Sequence, residues 1–400
     1  ACIWQSIFLA SVYADAIALI RLASPPLGMN TTFVFSILFY FVYKVNEKRF
    51  DTSPLYKKNV TLPKNSFMGT KERMSNIELL RIMSIIMIVL MHGIGCAFNT
   101  NNDINRLSFT FVNAFCNMGV TVFVVISGFF GIRFKISSAV RLWLMLFVYS
   151  LLIYVYKVWG GGLEFSTGGI INVMTPVSSV TWWFMTCYFV IFCLSPFLNM
   201  ILECLSKRRV QILLIILALF FVIFPTFLHH SITNDYGKGL PNFLLAYLIG
   251  QYIHKYKLPN FFVANSGLIF FLCVIIIFLV IFFTKNLLLF SKDNNLFIIV
   301  GAISLFVWTT KHSFRSKSIN YIAGYAFPLY SMNSVLLTVV VPTYKIYVNS
   351  NLFLPHFFLA QVVIIMFVFA IEFIRRILTD RFIWDVSNKL DKSLTKYINF

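Results

Sequence analysis

The chain has 400 residues, of which 59% are hydrophobic and only 12% charged, and its mean hydropathy is +0.82. Soluble globular chains carry about 25% charged residues, so this composition excludes a soluble protein and indicates a chain whose solvent is lipid. In a soluble protein the net charge of +19 would suggest a nucleic-acid partner. Here we assign it to loops at a membrane surface and predict no nucleic-acid binding.

Residues 1–67 are predicted to stand apart from the rest of the chain. Residues 1–20 and 31–43 are apolar, but the first stretch contains Asp15 and the second is short for a membrane span. A basic, polar linker follows. Two interpretations are open: an extra helical hairpin, or a foreign or mis-translated extension with the working start at Met68, just before the first strong span. We favour the second.

Ten apolar stretches follow, and most of them are long enough to cross a bilayer as a helix. A span needs about 20 apolar residues, and unbroken runs such as Ile212–Phe224 lack the alternation of barrel strands. We therefore predict an all-α fold, a polytopic transmembrane helical bundle. Its predicted spans are 78–98, 109–130, 139–157, 181–201, 210–228, 240–254, 266–284, 294–310, 325–344 and 356–374.

Basic residues are concentrated in every second loop of this arrangement. Lys207, Arg208 and Arg209 lie together between the fourth and fifth spans, whereas the loop between the seventh and eighth spans holds only Lys285 and Lys292. Because loops rich in Lys and Arg stay in the cytoplasm, both ends of the ten-span unit are predicted to be cytoplasmic. Residues 393–400 are then a cytoplasmic tail.

The seven cysteines are scattered along the chain, without a CxxC pair. Most lie inside apolar runs, where Cys behaves as a small hydrophobic residue. The sequence therefore predicts neither a disulfide framework nor a metal site.

The first span carries three ionisable residues, Glu78, Arg81 and His92. Such residues cost roughly 2.5–3.5 kcal/mol each to insert into a membrane and are functional candidates by default. Arg81 and His92 are eleven residues apart, about three helical turns, which predicts one shared face and a separation of about 16.5 Å. Glu78 can pair with Arg81 on that face. The alternatives are an Arg81 that reaches lipid phosphates, a Glu78 that serves as a helix N-terminal charge, and a His92 satisfied by a neighbouring helix.

Several segments, in the same order, resemble the membrane acyltransferase-3 family. NIELLRIMSIIMIVLMH is similar to the family's opening helix, with Arg or Lys, ten residues and then His, here Arg81 and His92. GVTVFVVISGFFGIRFK with Ser127, the stretch around Trp183, and SINYIAGYAFPLYSMN resemble later segments. The resemblance runs over residues 74–392 and implies a ten-helix membrane acyltransferase domain there.

The resemblance implies an O-acyltransferase that moves an acyl group, usually acetyl, from cytoplasmic acetyl-CoA to a hydroxyl of a cell-surface polysaccharide or its lipid-linked precursor. It also implies a bacterial cytoplasmic membrane, with acyl-CoA, a glycan acceptor and membrane lipids as partners and no metal. His92 is expected to be the catalytic base and Arg81, supported by Glu78, to contact donor phosphates. Whether His92 itself carries the acyl group stays open.

Five further residues are predicted to bind donor or substrate. Ser127, Trp183 and Tyr330 are candidates to stabilise the oxyanion of the tetrahedral intermediate, and Arg141 is a candidate to bind the anionic donor. The family's late His is replaced by Asn333, which can hydrogen-bond but cannot relay a proton near neutral pH. Trp183 fits an interfacial aromatic belt equally well.

Two other interpretations complete the predictions. A glycan flippase, polymerase or export component without acyl chemistry would use Arg81 and His92 as a transport-path pair. Within the last span, Glu372 is followed by Arg375 and Arg376, which predicts an ion pair that closes the end of that helix.

Overall fold

A computed structural model describes residues 73–394, apart from 98–99, 161, 180–181, 230–231 and 234. The predictions for residues 1–67 and for most of the tail at 393–400 therefore lie outside the described residues. Over the described part of the chain, the structure is built from helices and connecting loops, and no strand is formed there.

The described chain forms sixteen α-helices. A π-helical turn, Leu219–Ile223, joins Lys207–Ala218 to Phe224–Phe227, and a 3-10 turn, Ala323–Tyr325, precedes Ala326–Tyr347. In chain order they are α1 Ser75–Ala97, α2 Asp103–Cys116, α3 Gly119–Phe130, α4 Ile136–Trp159, α5 Thr167–Met174, α6 Trp183–Cys204, α7 Lys207–Ala218, α8 Phe224–Phe227, α9 Leu240–Lys255, α10 Asn260–Ala264, α11 Ser266–Thr284, α12 Leu287–Phe290, α13 Leu296–Thr310, α14 Lys317–Ile322, α15 Ala326–Tyr347 and α16 Phe353–Leu394.

Seven helical segments of the described chain are long and apolar enough to cross a membrane. An eighth is added if the bent pair Lys317–Asn333 and Val335–Tyr347 forms one span. Helices α9 and α13, at the places of the sixth and eighth predicted spans, are shorter, with 16 and 15 residues. The all-α, multi-pass character is confirmed, whereas the total of ten spans and the cytoplasmic position of both ends stay predictions.

Burial separates the central helices from those that face lipid. In the most apolar window of Asp103–Phe130, which contains α2 and α3, 83% of the residues are buried. The corresponding window of α11 is more apolar but only 28% buried, and Phe283 on that helix is 75% exposed. Lipid rather than protein surrounds such side chains. Helices α2 and α3 therefore lie at the centre of the bundle, next to α1.

Two glycines allow α3 and α9 to cross at close range. A Cβ atom on Gly128 would overlap the carbonyl oxygen of Tyr247, and one on Gly250 would overlap that of Val125. Between membrane helices, small residues let the backbones approach and pack. The hydroxyl of Tyr247 also accepts a hydrogen bond from the Ile132 N–H at 2.9 Å. Gly128, which follows Ser127 in the segment GVTVFVVISGFFGIRFK, therefore serves helix packing.

A buried ionic cluster anchors α16, and we name it the Glu372 cluster after its central carboxylate. Arg375 donates to both oxygens of Glu372, at 2.6 and 2.8 Å, and Arg376 donates to one of them at 2.6 Å. The Tyr149 hydroxyl, from α4, donates to the same carboxylate. Glu372 is 1% exposed. The predicted ion pair forms, and it extends to a second helix, but it does not close a helix end because α16 continues to Leu394.

The outer groups of the Glu372 cluster have partners as well. Arg375 Nη1 donates to Asp380 at 2.9 Å. Arg376 donates to the Gly324 carbonyl at 2.6 Å, and its guanidinium carbon lies 4.0 Å from the centre of the Tyr325 ring. Two guanidinium groups thus face two carboxylates, and the positive and negative charges of the cluster are equal in number.

Candidate active site

Helix α1 carries the predicted pair Glu78 and Arg81 near its first residue. Arg81 Nη1 donates to Glu78 Oε2 at 2.8 Å. Glu78 lies in the first turn, where the helix dipole also stabilises a negative charge. The Arg81 side chain is 27% exposed, so N–H donors beyond the one given to Glu78 are available to an anion.

The other predicted residue of α1, His92, lies near the end of the helix and meets α15. Its Nδ1 atom is 2.6 Å from the side-chain nitrogen of Asn333. Asn333 is fully buried and is the last residue before α15 bends by 61°. Asn333, which stands where the resembling family segment has a histidine, is therefore in direct contact with His92.

The amide of Asn333 can face His92 in two ways, because its oxygen and nitrogen ends have the same shape. If the nitrogen faces the ring, it donates to an unprotonated Nδ1, and the amide oxygen is buried without a hydrogen-bond partner among the described residues. If the oxygen faces the ring, it accepts the Nδ1 proton and Nε2 keeps a free lone pair. Only the second arrangement makes Nε2 a proton acceptor.

Aromatic rings from α6 and α15 form a wall beside His92. The Tyr330 ring is centred 6.3 Å from the imidazole, and the Phe184 ring is 4.8 Å from that of Tyr330. The next ring, that of Trp183, is 6.2 Å from Phe184. Of the predicted binding residues, Tyr330 therefore lies next to the predicted base, and Trp183 lies two rings further along the same wall.

Two loops, residues 235–239 and 291–295, meet beside this aromatic wall. The Asp293 N–H donates to the Tyr236 carbonyl at 3.0 Å. The Asn242 side chain donates to the carbonyls of Gly237, at 3.0 Å, and Asp293, at 3.3 Å. These bonds hold the two loops together.

The loops bring two charged residues to the site that sequence reasoning missed. Lys238 Nζ lies 5.9 Å from the centre of the Trp183 ring and interacts electrostatically with both His92 and Asp293. Asp293 is 5% exposed; burial raises its pKa to about 7, the charge of Lys238 opposes that rise, and Asp235 adds to it. In the sequence, Gly237-Lys238-Gly239 indicates only a turn. Sequence reasoning could have found them only as charged residues, Lys238 and Asp293, in the loops that hold few basic residues.

Two predicted residues, Ser127 and Arg141, have partners elsewhere. The Ser127 hydroxyl donates to the Phe123 carbonyl of its own helix at 3.0 Å. The guanidinium of Arg141 lies 4.4 Å from the centre of the Trp384 ring, which joins α4 to α16. Among the described residues, no contact joins either of them to His92.

Comparison with known families identifies the domain. A family model described as an acyltransferase domain, that of the acyltransferase-3 family, matches residues 74–374. This range is more than half of the chain and includes His92, Arg81, Asn333 and both loops of the site. The chain belongs to the acyltransferase-3 family. No curated protein and no solved structure matches it.

Membership of this family implies that the helical bundle catalyses acyl transfer. Such a domain, built from membrane helices, needs an acyl donor. In the described part of this acyltransferase, no group of three or more His, Cys, Asp or Glu side chains is arranged to hold a metal ion.

Proposed function

We propose that this acyltransferase-3 protein is an integral membrane O-acyltransferase of the bacterial cytoplasmic membrane, with both ends of its helical unit in the cytoplasm. It transfers an acetyl group from cytoplasmic acetyl-CoA to a hydroxyl of a cell-surface polysaccharide or of its lipid-linked precursor. The observation that carries the proposal is the contact between His92 and Asn333, because it fixes an imidazole beside an aromatic wall in a buried setting.

In this proposal His92 is the general base. With its Nδ1 proton donated to the Asn333 oxygen, Nε2 accepts the proton of the acceptor hydroxyl while that oxygen attacks the thioester carbonyl. The tetrahedral intermediate then collapses, the C–S bond breaks, and the imidazolium returns the proton to the departing thiolate. The amide oxygen stabilises the imidazolium, as in Cys-His-Asn sites. Asn333 needs only to accept a hydrogen bond, so the absence of a second histidine does not interrupt the reaction.

Arg81 is proposed to bind the phosphates of the donor. Its remaining N–H groups suit the bidentate recognition of phosphate oxygens, and Glu78 fixes the orientation of the guanidinium. Arg81 and His92 are separated by about 16.5 Å along α1. An extended acyl-CoA with its phosphates at Arg81 would therefore direct its thioester along α1 towards the base.

The acceptor sugar is proposed to lie against Trp183 and Tyr330. Aromatic faces can cover the apolar side of a sugar ring, while the Tyr330 hydroxyl and the buried amide of Asn333 can hydrogen-bond its polar groups. Lys238 adds a positive charge on this side of the site, where the thioester oxygen becomes an oxyanion.

The proposal is tested with labelled acetyl-CoA and membranes that contain the protein. Wild-type membranes should transfer label to glycan, and His92→Ala should lower the rate by about 10²–10⁴-fold, the usual contribution of a general base. His254→Ala is the matched control, because His254 is exposed in the last turn of α9, where its ring packs against Phe129.

The outcomes of this assay separate the two classes of function. Equal label transfer by wild type and His92→Ala, at equal amounts of protein in the membrane, contradicts the assignment of the base. Absence of transfer by wild type, with glycan still translocated or polymerised, favours a flippase, polymerase or export component.

A further inference from the structure

A second face of α1 lies away from the proposed active site. Asn76, Leu80, Met83 and Met87 follow one another at spacings of three or four residues and therefore share one side of the helix. At 100° per residue, this side is about 140° around the helix from Arg81 and His92. The proposed acyl transfer makes no use of it.

An apolar cavity of about 260 Å³ lies along this face, and we name it the side slot. Its lining includes Met83 from α1, Phe115 from α2, and Leu305 and Trp308 from α13. Met83 is 42% exposed and the neighbouring Leu79 is 36% exposed, so the slot opens sideways to the surroundings of the bundle. In a membrane those surroundings are acyl chains.

A second cavity, of about 300 Å³, continues the slot at the end of α1 that carries Arg81, and we name it the basic mouth. Arg73 and Arg315 both line it, and both are exposed. The mouth and the slot share Asn76 and Phe314 as lining residues. Among the described lining residues of the two cavities there is no Asp or Glu, and the two Arg side chains are the charged groups of the mouth.

Asn76 marks the junction between the mouth and the slot. It is 2% exposed, and its side-chain nitrogen donates to the Thr309 carbonyl at 3.0 Å. Its side-chain oxygen is buried without a hydrogen-bond partner among the described residues. A buried acceptor left without a donor costs about 1–3 kcal/mol, so a ligand that brings a donor is favoured at this point.

We propose that the mouth and the slot bind one anionic phospholipid with a hydroxylated head group, of the phosphatidylglycerol type. Its phosphate lies between Arg73 and Arg315, a head-group hydroxyl donates to the Asn76 oxygen, and one acyl chain lies along Met83 and Trp308. Charge complementarity selects this occupant, because basic pockets between membrane helices attract anionic head groups and an apolar slot takes a hydrocarbon chain. The proposal concerns lipid binding and is independent of the acyl chemistry.

The test measures lipid retention by the full-length purified protein in native mass spectrometry. Phosphatidylglycerol and phosphatidylcholine of equal chain length are added to the delipidated protein in detergent. Wild type should retain phosphatidylglycerol about tenfold more strongly, the size expected from charge-assisted hydrogen bonds. The double variant Arg73→Gln with Arg315→Gln should lose this preference. The exposed Arg208→Gln, at the start of α7, makes a matched change of charge and should keep it.

A second variant tests the slot without a change of charge. Met83→Trp fills the slot and should reduce phosphatidylglycerol retention, while circular dichroism confirms an unchanged helical content. Equal retention of the two lipids, an equal loss in Arg208→Gln, or unaltered retention in Met83→Trp would overturn the proposal. Displacement of the lipid by millimolar inorganic phosphate would do so as well. So would a dimer that persists without lipid and excludes it, since a second copy would then cover the face.

Discussion

The Glu372 cluster and the His92 site are both polar and both enclosed by helices, but they differ in how many hydrogen-bond partners the protein itself supplies. At Glu372, two Arg side chains and a Tyr hydroxyl donate to one carboxylate, and the outer guanidinium groups have further partners. At His92, one imidazole nitrogen meets one amide, and the described contacts leave capacity for another molecule.

The difference indicates what each region is for. A buried charge is tolerated when all of its hydrogen-bonding capacity is used, and such a cluster fixes the arrangement of helices. The proposed catalytic site, in contrast, needs donors and acceptors that the protein itself does not use. The same contrast extends to Asp293, a buried carboxyl beside Lys238 that is not held by two guanidinium groups.

The largest expected effect on stability is that of Glu372→Gln. This change leaves the buried Arg375 and the partly exposed Arg376 without the charge that they surround, at a cost of about 3–5 kcal/mol. Thermal unfolding in detergent measures the loss, with the exposed Glu203→Gln as control. Acetyl transfer per folded molecule should be unchanged. A stable Glu372→Gln with impaired catalysis would reverse the roles assigned to the two regions.

A smaller effect, and one that depends on pH, is expected for Asp293→Asn. Burial raises the pKa of Asp293 from 3.8 to about 7, so the folded protein holds this proton more tightly than the unfolded chain. Its contribution to stability is present at low pH and is lost as the pH rises through about 7, by about 3 kcal/mol between pH 5 and pH 8.

Melting temperatures across this pH range test the sign of the Asp293 effect. Wild type should lose stability towards pH 8 more steeply than Asp293→Asn. Asp103→Asn provides the control, because the Asp103 side chain is 84% exposed. Identical pH profiles for wild type and Asp293→Asn would show that the carboxyl titrates normally.

Substitution of Asn333 should separate catalysis from folding. Asn333→Ala removes the partner of His92 Nδ1 and should lower acetyl transfer about 10–100-fold, with a small change in the melting temperature. Asn333→Asp keeps an oxygen acceptor at the same position and should retain more of the activity. If both variants lose the same fraction, the amide does not orient the base. The labelled acetyl-CoA assay measures both.

The smallest expected effect is that of Tyr149→Phe, which removes one of several donors to Glu372. The carboxylate keeps its bonds to both Arg side chains, so the loss of stability should be about 1.5 kcal/mol, the lower end of the range for a hydrogen bond to a charged group. Tyr252→Phe, which removes an exposed contact with Gln211, is the control. A loss as large as that of Glu372→Gln would mean that the phenol, rather than the ion pairs, holds α16 to α4.

The sequence was sufficient for the helices and for one half of the site. Backbone groups in lipid must be satisfied within the helix, so unbroken apolar runs predict helices directly, and the span predicted at 266–284 coincides with α11. Arg81 and His92 stand out because ionisable residues are costly in a membrane.

The other half of the site depends on tertiary contacts. Asn333 meets His92 across 241 residues of sequence, and no local pattern encodes that contact. Lys238 and Asp293 reach the site on two separate loops that are held together by one backbone hydrogen bond and by the Asn242 side chain. Loop residues carry no periodicity, so their meeting point cannot be read from hydropathy or spacing.

The bend of α15 places the contact between His92 and Asn333 at the point about which the rest of the helix would rotate. Val335–Tyr347 forms an arm about 20 Å long beyond the bend, and Asn333 lies at its pivot. A rotation of the arm by about 10° would carry its far end by about 3 Å, while a residue at the pivot hardly moves. We therefore expect the hydrogen bond between His92 and Asn333 to be kept in such a rotation.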